Sequence, residues 1–239
     1  MNRIVAARPS ASATFRPWMG ERYREQVELA AAGRTSCCDG LWHIMGESHY
    51  GDPAEAGEQF TIQVVEELAI KGYPFFDTVL SVVLDREVND DNRRSGWSEV
   101  AFSNFVQDVL PDGQRRPTAD HWQKGRQIFF AQLAETKPKQ LLVVGAQQWQ
   151  NLPNEGFVPF RLPDQTSDAS RDDAGLYAYE VDGSTHFTLA TWIYHPSSYG
   201  RLDIAAARER VRQFTMASCN ILSDLGRDEQ GWFYDAAAD

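Results

Sequence analysis

Residues Leu41 to Gly51, Leu-Trp-His-Ile-Met-Gly-Glu-Ser-His-Tyr-Gly, join a short apolar run to a polar loop. Leu41 to Met45 reads as a buried strand, and Gly46 ends it so that its last residues pass into the loop Glu47-Ser48-His49-Tyr50. A carboxylate, a hydroxyl, an imidazole and a phenol are thereby delivered together from the end of one strand. What the rest of the chain brings to that end decides the fold.

Upstream, Arg16 to Gly33 has Tyr23, Val27 and Ala30 on one side of a helix that Gly33 stops. Downstream, Phe60 to Lys71 places Ile62, Val65, Leu68 and Ala69 at helical spacing before Gly72, and Tyr73 to Asp85 continues as a second helical run. Val100 to Val106 is a strand candidate that contains Ser103 and Asn104, two polar groups that need partners if buried. Pro117 to Ala134 is a helix capped by Thr118, with Trp122, Phe129, Phe130 and Leu133 on its apolar face. Leu141 to Val144 is a buried strand closed by Gly145. Leu176 to Val181 and His186 to Tyr194 are strands joined by an Asp182-Gly183 turn, and the second runs into His195-Pro196-Ser197-Ser198. The chain then forms a helix over Leu202 to Leu222. Strands alternating with helices predict a three-layer α/β/α sandwich with a mostly parallel central sheet. It forms a single domain over 1–239, with a helical extension at 1–40 and an acidic tail at 223–239.

Composition narrows the function classes. The 239 residues include 34 Asp and Glu against 23 Lys and Arg, a net charge of −11 that penalises a polyanionic partner unless the basic residues are gathered. They are partly gathered, since Arg86, Arg93, Arg94, Arg115, Arg116, Lys124, Arg126, Lys137 and Lys139 all fall in the middle third. Three cysteines, Cys37, Cys38 and Cys219, are too few for a disulfide framework or a four-thiolate metal site. No apolar stretch approaches the roughly 20 residues of a membrane span. The expectation is a soluble cytoplasmic monomer with no membrane contact, no metal and no cofactor. His43, His121 and His186 read as structural or surface groups.

On a parallel sheet, Gly46-Glu47-Ser48-His49-Tyr50-Gly51, Ser103-Asn104 and His195-Pro196-Ser197-Ser198 converge at one edge, where open α/β sheets bind ligands. The set suits hydrolysis of a ligand whose edge is read by hydrogen bonds. Neither phosphate-cradling glycine motif, GxxxxGK[ST] or GxGxxG, occurs.

At these residues the sequence resembles the uracil-DNA glycosylase superfamily. There, a first strand leads to a Gly-Gln-Asp-Pro-Tyr or Gly-Glu-x-Pro-Gly loop, a later strand ends in a base-reading Asn, and a His-Pro-Ser motif completes the pocket. GESHYG, VAFSNFVQ and TLATWIYHPSS stand in that order here, and KPKQLLVVGAQQWQNL resembles the strand and helix between the last two. The resemblance implies a uracil-DNA glycosylase-like fold and a cofactor-free enzyme that flips a pyrimidine out of DNA containing the target base and hydrolyses its glycosidic bond. Glu47 would position or activate water, Asn104 would pair with the base edge, and His195 would stabilise charge on the departing base. Tyr50 and Ser48 would line the pocket, with Phe75, Phe76 or Trp97 as the stacking face. Ser197 and Ser198 would hold phosphates, and Tyr199, Arg201 and Leu202 follow where a residue enters the duplex.

Two departures mark the chain. Ser48 stands where the best-known members carry a water-activating Asp, and His49 replaces Pro. His49 is placed to orient the water or to meet a substituent that uracil lacks. The resemblance therefore implies excision of uracil or, favoured by these departures, of a modified pyrimidine such as the glucosylated hydroxymethylcytosine of phage DNA, in repair or in defence. Two alternatives remain, a non-catalytic base- or DNA-binding module and a small-molecule N-glycoside hydrolase.

Overall fold

A computed structural model describes residues 14–34, 40–111, 116–156, 175–181, 186–198 and 200–227. The strands are β1 (Trp18–Met19), β2 (Trp42–Gly46), β3 (His49–Tyr50), β4 (Val100–Asn104), β5 (Val109–Leu110), β6 (Gln140–Val144), β7 (Leu176–Glu180) and β8 (Phe187–Ile193). The helices are α1 (Glu21–Ala31), α2 (Phe60–Val64), α3 (Pro74–Val83), α4 (Arg93–Ser98), α5 (Ala119–Thr136), α6 (Ala146–Asn151) and α7 (Ile204–Arg227). One π-helical turn, Val65–Ala69, extends α2.

Six strands form the central sheet in the order β1-β4-β2-β6-β8-β7, while β3 and β5 make a separate parallel pair. Strands β4, β2, β6 and β8 run parallel. The outer strands β1 and β7 are antiparallel to their neighbours, so the sheet is mixed rather than the mostly parallel one expected. The cause at one edge is connection length: β7 and β8 are too close in sequence for a crossover helix, and a short link pairs strands antiparallel. At the other edge, β1 precedes α1 and pairs Trp18 with Phe102 of β4.

The four inner strands are buried on both faces because helices cover both. Every residue of β2 is buried. Ile44 joins Leu142, Val144 and Phe102 beneath Val79, Leu80, Trp97, Val211 and Phe214 from α3, α4 and α7. Met45 joins Leu141 and Val143 beneath Trp122, Phe129, Leu133 and Trp149 from α5 and α6. The arrangement is an α/β sandwich. No helix among the described residues is long and apolar enough to cross a membrane.

Local signals explain most boundaries. Thr118 caps α5 in a reciprocal capping box with His121, and the helix stops at Lys137, which turns left-handed (φ 50°) before Pro138. The amino-terminal segment read as one helix from Arg16 divides into β1 and α1. Tyr23 of α1 packs on Leu41 and Ala101 and donates its hydroxyl to the Thr136 carbonyl, so the described part of the expected extension is tied to the sheet. Cys37, Cys38, the Asp182-Gly183 turn, Tyr199 and most of the acidic tail lie outside the described residues.

Strand order fixes where a ligand would bind. From β2 the chain moves outward to β4, then returns past β2 to β6 and onward to β8. The crevice at such a reversal opens beyond the carboxyl ends of β2 and β6. That is where Gly46-Glu47 and Gly145 lie.

Candidate active site at the carboxyl ends of the parallel strands

Gly46 and Asn104 are register partners at the ends of β2 and β4. Residue 46 has no room for a side chain, because the Asn104 carboxamide oxygen fills the space a Cβ would take. The Asn104 backbone carbonyl accepts from Gln107 Nε2 (2.7 Å) and Gln132 Nε2 (3.0 Å). Gln107 is held in turn by the Phe15 amide at 2.9 Å. The residue is thus anchored through its main chain, while its carboxamide, on a residue 4% exposed, has no hydrogen-bond partner among the described residues. Neither end of that amide is among the fully buried atoms left unpaired in the described residues, so it stays in touch with solvent and open to a ligand. Such a group suits a ligand that supplies both an acceptor and a donor.

Glu47 follows directly and is 7% exposed. Burial pushes its carboxyl above the usual carboxylate range, opposed by the charge of Arg116 and a hydrogen bond from Tyr50. Arg116 Nη1 lies 3.2 Å from Glu47 Oε1, and the Tyr50 hydroxyl donates to the same oxygen at 3.5 Å. Tyr50 is partly exposed. Ser48 turns its hydroxyl inward, without a hydrogen-bond partner among the described residues.

His49, expected beside the attacking water, has other neighbours. Its Nε2 lies 2.8 Å from Thr61 Oγ1, and its ring meets Phe15 and Phe60 edge to face at 5.6 and 5.1 Å. Burial holds it down to about 4. Its described contacts do not include Glu47, Asn104 or His195.

His195 emerges at the end of β8 over Gly145, whose φ of 129° turns the chain from β6 into α6. Its Nδ1 accepts the Ser197 amide at 3.1 Å and lies 2.7 Å from the Ser197 hydroxyl. An N–H donating to Nδ1 requires a lone pair there, so neutral His195 carries its proton on Nε2. Burial, reinforced by the Arg116 charge, holds His195 down to about 4. It is therefore a neutral donor at physiological pH. Phe75, from the first turn of α3, stacks on it with centroids 5.0 Å apart and planes 27° apart.

The other expected contacts divide. Phe76 is buried against Trp97 and Phe102, and Trp97 is fully buried, so neither offers a free stacking face. Ser197 and Arg201 are exposed and Ser198 is half-buried. The Arg201 amide bonds the Ser198 carbonyl and so closes the turn after the histidine. Leu202 packs on the core, and Arg208 donates to the Ser81 and Arg86 carbonyls. The three other histidines are accounted for locally: His43 bridges Thr136 and Ser103, His121 caps α5, and His186 faces the Pro138 carbonyl. Among the described residues no group of three or more His, Cys, Asp or Glu could hold a metal ion.

Sequence reasoning missed Arg116 as a site residue. It was visible only as one cation in a basic stretch, yet it pairs with Glu47, acts on His195 and reaches Gln147 Oε1 at 3.4 Å. The site thus combines a raised carboxylate, an unpaired amide, a neutral imidazole donor, an aromatic face and a guanidinium. No protein-family model and no curated protein matches the chain.

Proposed function

We propose that the protein is a monofunctional DNA glycosylase of uracil-DNA glycosylase-like fold. It takes a pyrimidine flipped from DNA into the crevice beyond β2 and hydrolyses its N-glycosidic bond, leaving an abasic site. The observation that carries this reading is the unpaired carboxamide of Asn104, anchored beside Glu47. An amide presents one donor and one acceptor, the pair needed to read a pyrimidine edge.

The chemistry has distinct charge requirements. As the bond breaks, the sugar gains oxocarbenium character and the base gains negative charge. Glu47 orients a water toward the anomeric carbon and takes its proton, and its raised carboxyl makes it a better base than an exposed glutamate. The water oxygen forms the new bond to that carbon as the bond to the base nitrogen breaks. His195 donates through Nε2 to the departing base, whose negative charge a neutral donor stabilises without becoming an anion itself. Phe75 and Tyr50 offer aromatic surface for the extruded base, which offsets the few kcal/mol spent on unstacking it.

The base is a modified pyrimidine in this reading, because the first motif departs from the uracil-excising pattern at Ser48 and His49. The test uses duplex and single-stranded DNAs carrying uracil, hydroxymethylcytosine, glucosylated hydroxymethylcytosine or ordinary bases. Alkali then cleaves any abasic site. A nick with one modified base is the expected outcome, and no nick with any of them overturns the reading.

A second reading, a binding module without chemistry, draws on the ion pair that occupies Glu47. Tight binding of the same DNAs without an abasic product distinguishes it.

A further inference from the structure

The Glu47–Arg116 pair is asymmetric. The carboxylate side chain is 7% exposed, whereas the guanidinium side chain is 61% exposed and reaches it from solvent. Besides Glu47, Arg116 has one described hydrogen bond, the long contact to Gln147. An ion pair with so exposed a partner is held weakly. The neighbouring cations of α5 are already engaged, Lys124 with Asp108 and Arg126 with Asn151.

A base that must accept a proton from water is disabled while a guanidinium holds it. A phosphodiester offers that guanidinium two charged oxygens in a geometry it matches, and competes well with one carboxylate oxygen. We infer that Arg116 is a phosphate-responsive latch on Glu47. It holds the carboxylate in the free protein, and a phosphodiester of the bound strand draws it away as the base enters. The inference rests on reading Glu47 as the group that takes the water's proton. It names the substrate class as phosphodiester-linked nucleotides rather than free nucleosides, since a nucleoside cannot open the latch.

Arg116 is a positioning residue in this account, acting through Glu47. Among the described residues the groups facing Glu47 are Tyr50 and Arg116, and His195 shares the field of the same arginine. The ionisation of Glu47 therefore reports the latch without any turnover.

The experiment follows the carboxyl carbon of Glu47 by NMR in protein labelled with carbon-13 glutamate, the signal being assigned with Glu47→Gln. The titration is recorded for the wild type and for Arg116→Gln, each alone and with saturating thymidine, inorganic phosphate or a thymidine trinucleotide. In the wild type, phosphate and the trinucleotide raise the midpoint and thymidine does not. In Arg116→Gln the midpoint is already raised, neither phosphate nor the trinucleotide moves it, and the trinucleotide binds about tenfold more weakly for want of one charge-assisted contact. An unshifted midpoint in Arg116→Gln, or a wild type indifferent to both phosphate probes, overturns the latch. Excision by a protein whose Glu47 ignores phosphate would sink the latch and keep the glycosylase. A responsive Glu47 in a protein that excises nothing would do the reverse.

Discussion

The carboxamide oxygen of Asn104 stands where a Cβ on residue 46 would have to be. Two strand ends that are 58 positions apart in sequence therefore fit together only with glycine at one of them. Gly46→Ala should displace the Asn104 side chain while leaving the sheet register intact. The expected result is a fold destabilised by about 1–3 kcal/mol, the range for overpacking a filled interior, with excision lost far beyond what that explains. Thermal unfolding followed by the abasic-site assay checks both, and a variant with wild-type excision would remove Asn104 from the site.

Phe75 and Phe76 are neighbours with opposite loyalties. Phe76 is 6% exposed among Trp97, Phe102 and Phe75, and its truncation to alanine should cost about 3–5 kcal/mol. Phe75 faces His195, so Phe75→Leu should unfold close to the wild-type temperature yet bind the target DNA and excise its base poorly. Equal losses of stability in the two variants would contradict the assignment.

The tautomer of His195 can be read directly. Nitrogen-15 shifts at pH 7 should show a neutral ring protonated on Nε2, because the Ser197 amide donates to Nδ1. Ser197→Ala removes the hydroxyl partner and keeps that amide, so the tautomer should persist and excision should fall by less than about tenfold, one neutral hydrogen bond being worth about 1 kcal/mol. A proton found on Nδ1 would rule out donation from Nε2.

Stability should fall on mild acidification. His43 is held down to about 3, and His49 and His195 to about 4, all chiefly by burial. The unfolded chain binds protons at these histidines below about pH 6.5, while the folded chain refuses them until about pH 4 or lower. Their contribution is thus fully present above pH 6.5 and is lost as pH falls toward those folded values, by up to about 1.4 kcal/mol per histidine per pH unit. Glu47 and Glu135, both raised by burial, act in the opposite sense and reduce the slope. Urea unfolding from pH 7 to pH 4.5 should show a steadily falling midpoint, and a midpoint that rises on acidification would contradict the burial of the histidines.

His49 offers a separable test. Thr61 is fully buried and its hydroxyl faces the imidazole at 2.8 Å. Thr61→Val should cost about 1–3 kcal/mol by leaving a buried ring nitrogen unpaired, and excision by the surviving folded protein should be unchanged. A lowered kcat at full stability would return His49 to the chemistry.

The four inner strands were legible because each is a short apolar run closed by glycine or by polar residues, and burial on both faces makes that pattern plain at Leu141 to Val144. Gly46, Glu47, Asn104 and His195 could be placed together because parallel strands put their carboxyl ends on one edge. What local pattern could not show was decided by distant partners. Trp18–Met19 is a strand only because β4 lies beside it, and its two residues carry no periodicity of their own. Arg116 looked like any exposed cation, since its meeting with Glu47 depends on how the segment before α5 crosses the sheet edge. His49 was misleading for a related reason. Residues 47 and 50 meet each other, whereas residue 49 turns into the contact with Phe15 and Phe60.

The two-residue strand β1 has a consequence of its own. It hydrogen-bonds along the strand that ends in Asn104, occupying a ladder that would otherwise offer unpaired donors and acceptors to any passing extended chain. Loss of residues 14–20 would therefore do more than shorten the protein. It would turn the strand that ends in Asn104 into an adhesive border, and self-association through that border would crowd the crevice beside it.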